Sequence, residues 1–104
     1  MLFRSWKKVE ITVTEVLSDR GDVPKEAVKV INEKARFSVE RILEIEKTTR
    51  HDVIAFLTNL AENIGSESRF IHMGMTSSDL LDTSLALLCQ EAGEIIITDR
   101  KSVV

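Results

Sequence analysis

Residues 51–64 read HDVIAFLTNLAENI, and this stretch gives the clearest indication of secondary structure in the chain. Its apolar side chains recur every three or four residues, so they fall on one face of an α-helix and can be buried together. The pattern stops at Gly65, and a polar break precedes it. We therefore predict a helix from His51 to Ile64, with His51 and Asp52 in its first turn. The apolar set of this helix is Val53, Ile54, Phe56, Leu57, Leu60, Ala61 and Ile64.

Three further helices are predicted upstream. The first covers Trp6 to Leu17, where apolar residues again recur at spacings of three and four. Gly21 is a natural C-terminal cap for it, and Pro24 has the backbone angle that opens a helix, so the second helix runs from Pro24 to Ala35. A shorter third helix spans Ser38 to Glu46, with Ser38 as its N-cap.

A loop from Gly65 to Met75 leads into a last, long helix. Ser77 is its predicted N-cap, Asp79 is favourably placed in its first turn, and apolar residues carry it to about Thr98. The chain has one Pro and four Gly, and few runs alternate between polar and apolar residues as strands do. The predicted fold class is all-α.

Size and composition limit the possible functions. With 104 residues, 43% hydrophobic and 30% charged, the chain suits one domain with a modest core. A net charge of −3 argues against nucleic-acid binding, and no apolar run approaches the ~20 residues of a membrane span. The single Cys89 cannot form an internal disulfide, which favours a reducing, cytoplasmic setting. Because Cys89 lies in an apolar run, we predict a buried structural thiol.

Both ends of the chain look foreign to the rest. Residues 1–5 and 99–104 resemble what the two ends of a common sequencing adapter encode when translated. We expect neither segment to be biological and assign the helical domain to residues 6–98; a natural charged tail on a helix is the alternative.

The first candidate site is the group Arg50, His51 and Asp52. It places a fixed cation, a titratable donor and an acceptor at the start of the helix that follows, where free N–H groups favour anions. An anionic ligand is plausible there. The alternative is that Asp52 caps the helix and Arg50 pairs with a nearby Glu.

The second candidate site is the run Thr76-Ser77-Ser78-Asp79 at the start of the long helix. Its hydroxyls and unpaired N–H groups suit a carboxylate or phosphate, although ordinary N-capping is the commoner use of such a run. Gly74 allows a sharp turn before it. Asp79 and Asp82 share a helical face, but no further oxygen ligands are identifiable, so no metal site is predicted.

Two separated motifs, TRHDVIAF at 49–56 and RFIHMGMTSSDLLDT at 69–83, resemble the adenylosuccinate lyase family of the fumarase and aspartase superfamily. The likeness extends from Trp6 to about Ile97. It implies the N-terminal helical domain of the fumarase/aspartase-like fold, ending in the start of a long bundle helix. The motif HDVIAF resembles the form found in adenylosuccinate lyases and distinguishes them from argininosuccinate lyases and lactonising relatives.

The resemblance also implies a reaction: β-elimination of fumarate from adenylosuccinate and from the succinyl derivative of an imidazole carboxamide ribotide. No cofactor is required, and the parent enzyme is a homotetramer with active sites shared between subunits. Arg50, His51 and Asp52 match residues that line the substrate, with His51 orienting it and supporting proton donation. His72 matches a residue near the substrate phosphate. Thr76 and Ser77 match the pair that binds the carboxylate end.

Other parts of the family's machinery have no counterpart in this sequence. The Arg-Tyr segment, the histidine that acts as general acid and the flexible loop whose serine is the base do not occur in it. We therefore expect a piece of a longer enzyme that is inactive alone and prone to associate, since the apolar face of Leu80 to Ile97 lacks a cover. The alternatives are a small helical module that binds a partner helix or an anion, and a sibling lyase of the superfamily.

Overall fold

The computed structural model describes residues 2–103; Met1 and Val104, the outermost residues of the two terminal segments above, lie outside this range. Five α-helices, one 3₁₀ helix and no strand occur within it, which confirms the all-α prediction. The α-helices are α1 (Leu2–Asp19), α2 (Lys25–Lys34), α3 (Val39–Thr49), α4 (Asp52–Ile64) and α5 (Ser77–Val103); the 3₁₀ helix, Ser66–Phe70, lies between α4 and α5. No described helix is both long and apolar enough to cross a bilayer.

Local sequence signals set most of the helix ends. At the end of α1, Gly21 takes a φ of +88°, and its N–H donates to the Ser18 carbonyl at 3.0 Å, as in a glycine-terminated helix. Pro24 occupies the N-cap position of α2, and the Ser38 hydroxyl accepts from the Arg41 N–H at 3.4 Å to cap α3. These predictions are confirmed, although α3 extends three residues further than predicted.

The start of α1 was predicted wrongly, because the helix begins at Leu2 and not at Trp6. Phe3 lies one turn before Trp6 on the same face, and its ring centroid is 5.2 Å from Trp6, 5.8 Å from Phe56 and 6.2 Å from Phe37. Burying this ring among three other aromatic rings extends the helix toward the N-terminus. The origin of residues 1–5 and 99–104 stays a prediction.

Helix α4 lies at the centre of the molecule and packs against α2, α3 and the 3₁₀ helix, while α1 packs against α2 and α5. Phe56 and Leu60 on α4 are wholly buried. The Asn59 side chain adds a polar tie, since its Oδ1 accepts from the Ser38 N–H at 2.8 Å and so joins the start of α3 to α4. The core is completed by Trp6, Val9, Ile31, Ala35, Ile42, Ile45, Val53, Ala55, Ile64 and Leu80.

Helix α5 is covered on one side only. Helix α1 packs against it, and Leu80 and Ser84 are wholly buried, whereas a set of large apolar side chains further along is more than half exposed. Cys89 is exposed as well, so the prediction of a buried thiol was wrong. The reason is that the apolar run around Cys89 surrounds the helix, and α1 covers only one strip of it. The exposed apolar residues are Leu85 (59%), Ile95 (68%), Ile96 (66%) and Ile97 (55%).

Candidate functional site

The link between α3 and α4 is only two residues long and presents a free cation. Arg50 takes the left-handed conformation, with a φ of 53°, and its N–H donates to the Glu46 carbonyl at 2.7 Å. This conformation, uncommon outside glycine, lets the chain turn at once into the next helix. The Arg50 side chain is exposed and forms no ion pair within residues 2–103, so the pairing with a Glu is not observed. Its guanidinium is available to an anion.

His51 is the N-cap of α4, and its ring Nδ1 accepts from the Ile54 N–H at 3.2 Å. A neutral ring that accepts through Nδ1 carries its proton on Nε2. Asp52, the first residue of α4, accepts from the Val53 N–H at 2.7 Å, and its Oδ1 lies 3.8 Å from His51 Nδ1. The alternative prediction was that Asp52 caps this helix; the N-cap is instead His51. His51 presents an Nε2–H donor beside the Arg50 cation.

The loop before α5 contains two residues with positive φ. Gly74 has a φ of +75°, as expected for a sharp turn, and His72 has a φ of +64°. The His72 carbonyl accepts from the Met75 N–H at 3.3 Å, which closes the turn. The turn therefore places His72 in the loop between the 3₁₀ helix and α5.

The partner of His72 is a buried carboxylate that the sequence analysis missed. His72 Nδ1 lies 2.5 Å from Oε1 of Glu10, a residue of α1 whose side chain is wholly buried. Burial raises the pKa of the Glu10 carboxyl, and the hydrogen bond and charge of His72 lower it by less. The missed signal was spacing: Glu10 lies four residues after Trp6 and three before Val13, on the apolar face of the helix.

This burial predicts an unusual pH dependence of stability. A carboxyl whose folded pKa is raised, as for Glu10, favours folding below its unfolded value of about 4.5 and loses that contribution as pH rises through the folded value. Glu62, bound to Arg41 at 2.8 Å, has a lowered pKa and behaves in the opposite way. We expect Glu10→Gln to gain stability relative to the unsubstituted chain as pH rises from 4 to 7, and Glu62→Gln to lose it.

Urea denaturation at several pH values gives the unfolding free energy of each variant relative to the unsubstituted chain. Taking this difference cancels the contributions of the carboxyls that both chains share. If the relative unfolding free energy changed with pH in the same direction for both variants, the opposite pKa shifts of Glu10 and Glu62 would be contradicted.

At the start of α5 the N-cap is Thr76 and not Ser77, because the helix itself begins at Ser77. The Thr76 N–H donates to Asp79 Oδ2 at 2.9 Å, the reciprocal half of a capping box. Thr76 is exposed and Ser77 half-buried, and neither hydroxyl forms a hydrogen bond within residues 2–103. Two hydroxyls therefore lie at a helix start with the first-turn N–H groups, a combination suited to a carboxylate.

The two candidate sites remain separate within the described chain. Arg50, His51 and Asp52 stand at the start of α4, and Thr76 and Ser77 at the start of α5, with His72 in the loop before it. No hydrogen bond or ion pair among residues 2–103 joins one group to the other. No three His, Cys, Asp or Glu side chains of that range converge as metal ligands. The described structure thus keeps two separate groups of polar side chains at helix starts.

Comparison with known proteins places the chain in a family. The sequence model of the lyase family matches residues 1–103. The chain belongs to the lyase family. Among curated proteins of known name, the adenylosuccinate lyase of Bacillus subtilis is 45% identical over 102 residues, which are 98% of this chain and 24% of that protein. The adenylosuccinate lyase of Aquifex aeolicus is 47% identical over 105 residues, 98% of this chain and 24% of its own length.

A third relative, the adenylosuccinate lyase of Synechocystis, is 46% identical over 101 residues, 97% of this chain and 23% of that protein. The chain therefore spans about a quarter of the length of the curated relatives it matches. The family membership agrees with the all-α architecture described above.

Proposed function

We propose that this chain is the N-terminal part of an adenylosuccinate lyase. The reaction is β-elimination of fumarate from adenylosuccinate, giving AMP, and from the succinyl imidazole carboxamide ribotide of purine biosynthesis. The proposal is supported by identity of about 45% to proteins of that name across almost the whole chain. The observation that carries it is the start of α4, where Arg50, which forms no ion pair among residues 2–103, directly precedes His51 with its Nε2–H donor.

The chemistry explains why these groups suit such a substrate. Elimination requires a base beside a carboxylate, stabilisation of the resulting anion and an acid for the departing nitrogen. Arg50, His51 and Asp52 line the substrate, and the Nε2–H of His51 orients it and supports proton donation at the leaving nitrogen. Because His51 Nδ1 is fixed by the Ile54 N–H, the donor direction is set before the substrate arrives.

The second group binds the anionic ends of the same substrate. Thr76 and Ser77 offer hydroxyls and first-turn N–H groups to the carboxylate end, and His72 lies near the phosphate. The hydroxyls have no partner within the described chain, so binding the substrate breaks no internal hydrogen bond. No cofactor takes part in this scheme.

The partners proposed for the whole enzyme are the small-molecule substrates and further copies of itself. We propose a cytoplasmic homotetramer whose active sites combine residues of several subunits, with no nucleic-acid or membrane partner. The exposed apolar residues of α5, which include Ile95 and Ile96, support a packed interface along that helix. The acid and base are not assigned to this chain, so we expect the chain alone to release no fumarate.

Complementation tests the proposed function. The matching segment of the Bacillus subtilis adenylosuccinate lyase is replaced by residues 6–98 of this chain, and the chimera is expressed in a purine-requiring bacterium that lacks this lyase. Growth without added purine is expected, because the chain supplies the same positioned groups. A matched chimera with Lys29→Ala, an exposed change on α2 outside both assigned groups, controls for expression.

A soluble, folded chimera that supports no growth would contradict the proposal. If that chimera still released fumarate from another succinyl compound, the sibling-lyase alternative would replace it.

A further inference from the structure

The buried carboxylate of Glu10 has no role in the scheme above, although burying it is costly. Transfer of a carboxylate from water into an apolar environment is strongly unfavourable unless the charge is paired. Glu10 is wholly buried on α1, its Oε1 meets His72 Nδ1 at 2.5 Å, and its Oε2 has no partner among the described residues. A side chain placed only for stability at this apolar position would be better served by Leu or Met.

The hydrogen bond determines which nitrogen of His72 carries the proton. When Glu10 is ionised its carboxylate can only accept, so a neutral His72 ring facing it must hold its proton on Nδ1 and leave Nε2 bare. A protonated ring keeps the same Nδ1–H bond and adds an Nε2–H donor. In both states the ring is oriented by Glu10, and no side chain of residues 2–103 bonds to Nε2.

With Glu10 ionised, the hydrogen-bond partners of the two histidines favour opposite tautomers. His51 accepts through Nδ1 from a backbone N–H and presents Nε2–H, whereas His72 donates through Nδ1 and presents Nε2 as an acceptor when neutral. The His72 ring is about one-fifth exposed, so a ligand at the loop can reach it. The left-handed backbone of His72 directs the side chain back onto α1 and allows this contact.

We propose that Glu10 is a positioning residue for the elimination: through Nδ1 it fixes the ring orientation and tautomer of His72, so that the protonated ring directs its Nε2–H at the substrate phosphate in one defined direction. This role deepens the proposed function and rests on it for the identity of the ligand. The tautomer itself does not depend on that function.

The direct test is nitrogen NMR of the histidine rings in the purified chain. Only two histidines are present, so His51→Asn and His72→Asn variants assign both rings. At alkaline pH, where neutral rings prevail, we expect His72 to carry its proton on Nδ1 and His51 on Nε2. In Glu10→Gln the His72 ring should shift toward a mixture of tautomers while His51 stays unchanged. A His72 proton on Nε2 in the unsubstituted chain would overturn the proposal even if the variant did not fold.

The second test measures kcat and KM of the purified Bacillus subtilis chimera described above. Glu10→Gln and His72→Asn should each lower kcat/KM by about ten-fold or more, the usual effect of losing a partner that orients a histidine. The double variant should be no worse than His72→Asn alone, because Glu10 acts through that ring. Additive losses, or full activity of Glu10→Gln, would overturn the positioning role. An inactive unsubstituted chimera would instead refute the proposed function and leave the NMR result standing.

Discussion

Replacing Phe56 by alanine is expected to cost about 3–5 kcal/mol of unfolding free energy, the range for removing a buried aromatic side chain. Phe56 is wholly buried on α4, and its ring centroid lies 5.8 Å from Phe3, 5.5 Å from Trp6 and 6.0 Å from Phe37. The change would therefore leave a cavity at the point where α1, α4 and the segment before α3 meet. Domains of this size have a total stability of roughly 5–15 kcal/mol, so this one change should remove a large share of it.

Urea denaturation followed by circular dichroism measures this loss. Phe70→Ala is the matched control, because Phe70 packs only at the edge of the core and its ring also contacts the Arg69 guanidinium, 4.6 Å from the centroid. We expect a clearly smaller loss for Phe70→Ala. Equal losses for the two variants would contradict the central place of Phe56 in the core.

His51→Ala should lower kcat/KM of the chimera by about 10²-fold or more, the scale of a group that assists proton transfer. The imidazole is the only side chain at the start of α4 that offers a ring N–H donor beside Arg50. Alanine also removes the N-cap bond from the Ile54 N–H, so helix stability should fall by about 1 kcal/mol.

His51→Asn separates these two effects. Asparagine is a good N-cap, so this variant should keep the stability of the unsubstituted chimera and still lose the catalytic contribution. Recovery of both stability and activity in His51→Asn would show that His51 serves only as a cap.

The sequence predicted the helices well because their signals are local. Gly21, Pro24, Ser38 and Gly65 end or start helices through their own backbone angles or side-chain hydrogen bonds, which do not depend on distant residues. The same local reasoning misplaced the N-cap of α5 by one residue. Adjacent hydroxyl residues are equally good caps, and the Asp79 carboxylate accepting from the Thr76 N–H settles the choice.

Features that depend on tertiary packing were harder to predict. Burial of Glu10 required knowing that His72, distant in sequence, folds back onto α1. Exposure of Cys89 required knowing which side of α5 has a neighbour. Of the candidate site, the sequence predicted the residues at both helix starts, while the tautomers of His51 and His72 followed only from their hydrogen-bond partners.

Fumarate release by the purified chimera from adenylosuccinate tests the central claim most directly. The expected result is measurable elimination when residues 6–98 of this chain replace the matching Bacillus subtilis segment, and loss of most of it when Arg50 and His51 are both changed to alanine. A folded chimera whose rate is unaffected by those two changes, or one that forms no fumarate, would contradict the account.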